Sequence, residues 1–283
     1  MDKLLQGIDF FCVESACWIA AKKLNVPAYD FSFTPLFEVS RPRIAGTVPT
    51  VARLGAIANY THTYEVLQQY GFALVNSPTQ HQLASALEHW YPIIAEFTPQ
   101  SIVFEQVPTP DEIMRHFELP VFIKGNRQTA QHNPTLAIAH TLDDLTRILA
   151  AYQQNNILHW QKLVCREYVP LQKLEQQAPN KVPLSFEFRT FWWQGELVGA
   201  GHYWSQFAQY TWTNAQQDAA LDIAHTAAQR LQVPFLVIDL ALTASNRWVI
   251  IECNDAQEAG YAGVNGWEMW KRVIKKENLG NLT

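Results

Sequence analysis

Phe235-Leu-Val-Ile-Asp239-Leu-Ala-Leu242, then Thr243-Ala-Ser-Asn-Arg247, then Trp248-Val-Ile-Ile-Glu252-Cys-Asn254, is the stretch on which the fold turns. Two apolar runs of strand length flank a short polar break, which reads as a hairpin. A symmetric hairpin has its midpoint between Ser245 and Asn246 and sets Asp239 opposite Glu252. Glu252 and Asn254 are two apart and so share a face. Opposed carboxylates in an apolar setting repel each other and lose hydration, so they call for a compensating partner. A hard divalent cation held through oxygens, Mg²⁺ first, supplies one. The alternative is a strand pair whose acids simply face water.

The rest of the chain bounds that reading. At 283 residues, with 48% hydrophobic and 17% charged residues, it has the material for a substantial core in one large domain or two to three lobes. A net charge of −5 argues against broad nucleic-acid or anionic-membrane binding. Cys12, Cys17, Cys165 and Cys253 show no CxxC spacing and read as reduced thiols in apolar runs. Asp2, Lys3, Asp9 and Glu14 break up the N-terminus, which lacks a signal-peptide architecture, and no run reaches the length of a membrane span. The expectation is a soluble, cytoplasmic protein.

The first hundred residues look like an α/β lobe. Tyr64 to Tyr70 reads as a helix ended at Gly71, and Phe72 to Val75 as a short buried strand. Asn76-Ser77-Pro78 opens a helical stretch through Leu83, Leu87, Trp90 and Ile94. The proline-marked segment Thr98 to Pro110 is read as the boundary between lobes. Beyond it come a short helix from Asp111 to Phe117, the strand Val121-Phe-Ile-Lys124, a polar loop Gly125 to Thr129 and an amphipathic helix from Leu142 to Tyr152. The strand Leu163 to Val169 stops at Pro170, and Ser185 to Trp193 pairs with Leu197 to Tyr203 through a turn at Gln194-Gly195. An alanine-rich helix, Gln216 to Leu231, precedes the opening hairpin. Hairpins with interspersed helices indicate α+β lobes with largely antiparallel sheet.

No GxxxxGK[ST] is present, and Gly199-Ala-Gly201-His lacks the context of a dinucleotide fingerprint. Lys124 ends an apolar strand beside a glycine and a polar loop, an arrangement in which a lysine can hold a phosphate; the alternative is a lysine at the surface. Glu187 and Arg189 share a strand face, where Arg189 can stabilise charge on a phosphoryl group or merely form a surface pair. Glu167 closes its strand. Among nine histidines without zinc-ligand spacing, His202 at a strand end near Arg189 stands out. Trp192, Trp193, Trp204 and Trp212 read as packing residues, the alternative being that one or two line a substrate pocket.

The pieces fall in one order: Pro-Val-Phe-Ile-Lys124-Gly, Arg166-Glu167-Tyr168-Val169, Phe188-Arg189, Asp239, Glu252-x-Asn254. That order resembles the ATP-grasp superfamily from about Tyr64 to Tyr261, and the ending Glu252-Cys-Asn254-Asp255-Ala-Gln257 is similar to a divergent group found in bacteria and phages. The resemblance implies an α+β/α/β fold: two α+β lobes gripping ATP over residues 101–283 (101–170, then 171–283 with the metal hairpin), preceded by an N-terminal α/β lobe over residues 1–100. Lys124 would contact the α- and β-phosphates, under a flap from Gly125 to Thr129. Glu167, Tyr168 and Val169 would be the hinge whose backbone reads adenine, and Glu175 would touch the ribose. Arg189 would face the γ-phosphate, and Asp239, Glu252 and Asn254 would hold one or two Mg²⁺ ions.

The implied activity is ADP-forming carboxylate–amine ligation through an acyl-phosphate, on amino acid, peptide or protein substrates. A small-molecule kinase and a catalytically impaired nucleotide-binding module are the alternatives. One departure stands out: the region that usually carries a further phosphate-contacting lysine reads Leu87-Glu88-His89-Trp90, with Arg53 or Arg115 as candidate substitutes. The partners implied are a small-molecule or peptide substrate and, beyond it, a second copy of the chain in a homodimer; neither nucleic acid nor membrane is expected.

Overall fold

The computed structural model describes residues 48–53, 59–69, 71–127, 133–156, 158–179 and 181–280, with side chains to residue 277. Cys12, Cys17, Arg41, Arg43, His132 and the distal part of the Gly125–Thr129 loop lie outside the described residues, as does most of the first fifty residues.

In chain order the elements are β1 (Val48–Thr50), α1 (Tyr60–Gln69), β2 (Phe72–Leu74), α2 (Pro78–Ser85), α3 (Leu87–Ile94), β3 (Ser101–Phe104), α4 (Pro110–Met114), β4 (Val121–Gly125), α5 (Pro134–Ala137), β5 (Ile138–Ala139), α6 (Leu142–Tyr152) and β6 (Leu163–Glu167). There follow β7 (Glu187–Trp193), β8 (Glu196–His202), α7 (Asn214–Leu231), β9 (Phe235–Leu242), β10 (Trp248–Asp255) and α8 (Gly266–Gly280). β1 and β2 pair in parallel. The first large sheet has the order β3-β6-β4-β5 and the second β10-β9-β7-β8, and every pairing within them is antiparallel.

Local chemistry sets most helix starts. Ser77, Thr109, Thr141 and Thr213 each accept from the backbone N–H three residues on, and the side chains of Gln80, Glu112, Asp144 and Gln216 return the bond to the cap. Pro78 and Pro110 occupy the first helical position, where no donor is lost. The β7–β8 turn places Gln194 at φ 49° and Gly195 at φ 79°, the paired positive values that a two-residue hairpin twist requires.

Three expectations change. The helix expected through Leu83 and Ile94 is two helices broken at Ala86, which is extended (φ −99°, ψ 119°). The break lets the Leu87 N–H donate to the Asn126 carbonyl at 3.0 Å, so a tertiary contact replaces a helical one. Strand β7, expected from Ser185, begins at Glu187, and Ser185 forms only an isolated bridge with Lys173. Strand β6 ends at Glu167, leaving Tyr168 and Val169 as connecting chain. The C-terminal helix α8 was not anticipated.

The second sheet is covered on both faces. Phe188, Trp192, Leu236, Ile238, Leu240 and Ile250 pack under α2, α3 and α7, where Ala220, Ala224, Ala227 and Ala228 allow close approach of helix to sheet. On the opposite face Phe191, Trp193, Phe235 and Val237 pack against Met269, Trp270, Val273 and Ile274 of α8. That face is apolar only along half its length. Continuing along the same strands it carries Glu187, Arg189 and Asp239, and there it turns towards the first sheet. Behind the first sheet, Ile113, Leu145, Ile148 and Leu149 build a separate core. No helix among the described residues is long and apolar enough to cross a membrane.

Candidate functional site

A cavity opens between the two large sheets. Phe122, Ile138, Tyr168, Val169, Val182 and Ile251 give its wall apolar surface, and Lys124, Arg166, Glu187, Asp239 and Glu252 give it charge. Lys173, Ser185 and Tyr203 line it as well.

The carboxylates come from the β9–β10 hairpin, where Glu252 lies directly opposite Asp239. That pairing arises differently from a symmetric hairpin. Trp248, Val249 and Ile250 pair with Leu242, Ala241 and Leu240, and then a bulge skips Ile251 before Glu252 meets Asp239. Without the bulge the ladder would set Ile251 against Asp239 and turn Glu252 towards the α7 core. The bulged residue leaves a carbonyl outside the ladder, and Arg166 Nη1 donates to it at 2.6 Å.

Asp239 and Glu252 are each answered by a cation. Arg189, on the neighbouring strand in register with Asp239, donates from Nε at 2.8 Å and from Nη2 at 2.7 Å to its two oxygens. Burial pulls against the guanidinium charge, but the Asp239 charge and hydrogen bonds override it and raise the Arg189 pKa. Its Nη1 donates to the Gly260 carbonyl at 2.8 Å and its plane lies over the Tyr203 ring, so the whole head group is engaged. Lys124, 3% exposed, crosses from the first sheet and donates to Glu252. Burial pushes its pKa down, with Glu252 opposing the shift.

Two groups were missed as functional candidates in the sequence. Arg166 lines the cavity and is 4% exposed; its Nε donates to Ser101 Oγ at 2.9 Å, while Nη2 is buried without a hydrogen-bond partner. Burial lowers its pKa to about 10. An arginine between Val164, Cys165 and the strand end was the available signal, because a charge inside a paired strand needs a reason. Glu187 is buried beside Asp239 and accepts from the Ser185 hydroxyl. Burial first, and then the Asp239 and Glu252 charges, push its carboxyl up to about 8, so it is no surface partner of Arg189.

The remaining expected residues fall into three groups. Glu167, Tyr168 and Val169 line the cavity; the Glu167 N–H donates to the Gln100 carbonyl at 2.9 Å, and Tyr168 meets His140 edge-on. Gly125 closes β4 opposite Leu163, and Asn254 sits one step beyond Glu252 on the shared face, opposite Val237; neither lines the cavity. Glu175 is exposed and away from the cavity wall, because the chain there leaves the sheet; Lys173 faces the cavity instead.

Neither expected substitute for the further lysine reaches the cavity. Arg53 is buried with Nη1 and Nη2 donating to the carbonyls of Ala256 and Ala259, its plane over Tyr261. Arg115 is exposed at the end of α4. Glu88, in the region where the lysine was sought, accepts from Asn126 Nδ2 and faces Lys162 at 3.3 Å. His202 lies on the Phe188 face of its hairpin, packed on Phe188 and Tyr210, away from the charged cluster.

The residues suit an anion and a cation together. The unpartnered Arg166 Nη2 and the Lys124 ammonium offer donors to phosphate oxygens, and the opposed Asp239 and Glu252 offer oxygens to a hard divalent ion. Among the described residues no three His, Cys, Asp or Glu side chains converge as a preformed metal cage. Two opposed carboxylates leave the open kind of site that Mg²⁺ occupies with phosphate and water.

Two antiparallel sheets facing across a cleft, with a strand lysine on one and an acidic hairpin on the other, define the ATP-grasp fold. The model of an ATP-grasp domain, the third family of its clade, matches residues 80–273, and the chain belongs to that family. No curated protein sequence matches this chain. Solved structures share the fold. The VanG D-Ala:D-Ser ligase from Enterococcus faecalis is 15% identical over 85% of this chain and 74% of its own, with a TM-score of 0.58. A RimK domain ATP-grasp protein from Sphaerobacter thermophilus is 13% identical over 83% and 80%, with a TM-score of 0.55. The D-alanine–D-alanine ligase from Bacillus anthracis, solved in complex with ATP, is 11% identical over 81% of each chain, with a TM-score of 0.55.

Proposed function

We propose that the protein is an ATP- and Mg²⁺-dependent carboxylate–amine ligase that forms ADP and works through an acyl-phosphate. The observation that carries this reading is the cavity itself: a cleft whose wall combines apolar side chains with Lys124 and Arg166 from the first sheet and Asp239 and Glu252 from the second. ATP-grasp membership and a relative that binds ATP support it.

In this reading the apolar surface takes adenine against Tyr168 and Val169, and the hinge backbone reads its edge. Lys124 and Arg166 hold the phosphates, Arg166 acting where a further lysine was expected. Lys173 and Glu187 stand nearest to a ribose, the part first assigned to Glu175. Asp239, Glu252 and Asn254 would hold Mg²⁺, whose charge would offset that of the phosphates. A substrate carboxylate oxygen attacks the γ-phosphorus, the bond to the β–γ bridging oxygen breaks, and ADP leaves. An amine nitrogen then attacks the acyl carbon, loses its proton and expels phosphate. The protein supplies position and charge, which suits a site without a nucleophilic triad. Arg189 would face the γ-phosphate while its bonds to Asp239 keep that carboxylate in place.

The acceptor is a small molecule or peptide carrying a carboxylate, and the ATP requirement together with the free, buried Cys165 and Cys253 fits a cytoplasmic setting. The test is product analysis with Mg²⁺–ATP, an amino-acid and peptide panel, and an amine. ADP and phosphate released only when acid and amine are both present, with a product lighter by water than its parts, is the expected result. AMP with pyrophosphate overturns the reading, and a stable phosphorylated product turns it into a kinase.

A further inference from the structure

Among the described residues, side-chain ties join the first sheet, or the residues directly after its strands, to β10 and the residues directly after it, and three of them bear on the site. Two lie in the cavity, Lys124 to Glu252 and Arg166 to the Ile251 carbonyl. The third lies outside it: Arg127 Nη2 donates to Glu258 Oε2 at 2.7 Å. This third tie is braced from several sides. His81 Nε2 stands 3.1 Å from Glu258 Oε1 and 3.0 Å from Arg127 Nη2. The His81 ring stacks on Tyr60 at 3.8 Å, the Arg127 N–H donates to Gln161 Oε1 at 3.0 Å, and the guanidinium lies over Trp160. The side chains of His81, Glu258 and Arg127 are 6%, 5% and 11% exposed.

The two kinds of tie respond differently to a ligand. If Lys124 holds phosphate and Glu252 holds a cation, the direct Lys124–Glu252 pair is broken by binding. Arg127 and Glu258 do not line the cavity, so nothing bound there competes for them. Arg127 follows Lys124 by three residues and Glu258 follows Glu252 by six. A brace at that short range limits how far the two reactive side chains can separate, the role that supporting contacts play around any preorganised site.

We infer that Arg127 and Glu258, braced by His81, are positioning residues that keep Lys124 and Glu252 at ligand-binding spacing once phosphate and cation come between them. The inference rests on the nucleotide reading above. Calorimetric titration of the full chain with Mg²⁺–ATP, and separately with adenosine, tests it. Arg127→Ala and Glu258→Gln each raise the Mg²⁺–ATP Kd about tenfold, an effect of about 1.4 kcal/mol. The double variant is no worse than the weaker-binding single, and Arg127→Lys falls in between. Adenosine, which needs only the apolar surface, binds all variants as it binds the wild type. Where Arg127→Ala does not fold, Glu258→Gln and Arg127→Lys carry the test. Variants whose Mg²⁺–ATP Kd stays within twofold of the wild type overturn the tie alone. A parallel loss of adenosine affinity also overturns it, by showing a general structural effect. A wild type that binds neither ligand overturns the nucleotide reading and the tie with it.

Discussion

Arg189–Asp239 and Lys124–Glu252 are both buried cation–carboxylate pairs at one cavity, yet they are built differently. The first joins neighbouring strands of one sheet in register, is two-pronged, and has its guanidinium further tied to Gly260 and Tyr203. The second spans two sheets through a single ammonium contact, with Glu252 more open to solvent than Asp239. A pair locked inside one sheet serves the fold as well as the site. A pair that closes a cleft is free to exchange its partners for a ligand.

The sharpest way to break this contrast is to compare the cost of losing each pair. Asp239→Leu strands the Arg189 charge inside the sheet and is expected to lower stability by about 3–5 kcal/mol in urea unfolding, with Arg189→Met restoring much of the loss. Lys124→Met should leave the unfolding free energy within about 1 kcal/mol of the wild type. Its effect falls on turnover instead, with Mg²⁺–ATP-dependent ADP release reduced on the order of 10²–10³-fold. Equal stability losses in the two variants would erase the distinction.

A third comparison uses pH. Glu187, beside the locked pair, has its carboxyl raised from 4.5 to about 8 in the fold. Between those values the folded chain keeps a proton that the unfolded chain gives up, so stability falls as pH rises through the window and levels off above it. In the ligand-free protein Glu187→Gln should match the wild type near pH 4 and exceed it progressively up to pH 8, by on the order of 1–3 kcal/mol in thermal unfolding. A stability difference that does not vary with pH would show that Glu187 is ionised in the fold. The smallest effect is expected at Arg166→Lys, which keeps a charge but loses the two-pronged reach to Ser101 and Ile251. It should raise the Mg²⁺–ATP Kd roughly three- to tenfold in calorimetry, about 1 kcal/mol.

Much of the second sheet was legible because its signals are local. Phe186 and Phe188 alternating with Glu187 and Arg189, the Gln194-Gly195 turn and the alanine-rich helix each state their structure within a few residues. The α2–α3 break was not legible, since the carbonyl that ends the helix belongs to Asn126. Glu175 was placed by spacing along a segment that has no strand to hold it, while Glu187, two residues before Arg189, had been weighed only as a surface partner. Arg53 and Arg166 show the same limit from opposite sides. Both are arginines in apolar surroundings, but one is held by the carbonyls of Ala256 and Ala259 away from the cavity, and the other lines it.

The amino-acid order by itself determined that Asp239 and the Glu252–Asn254 pair sit on facing strands of one hairpin, because strand period and a short polar turn leave few other registers. Only the tertiary structure decided how they meet. Counted from the turn, a regular ladder would put Ile251 opposite Asp239, and the bulge at Ile251 corrects the count by one. A bulge costs a ladder bond unless its orphaned carbonyl finds a donor, and that donor is Arg166 from the other sheet. The charges that make this hairpin a site are thus set in place by a residue 85 positions away, which no spacing rule along the chain encodes.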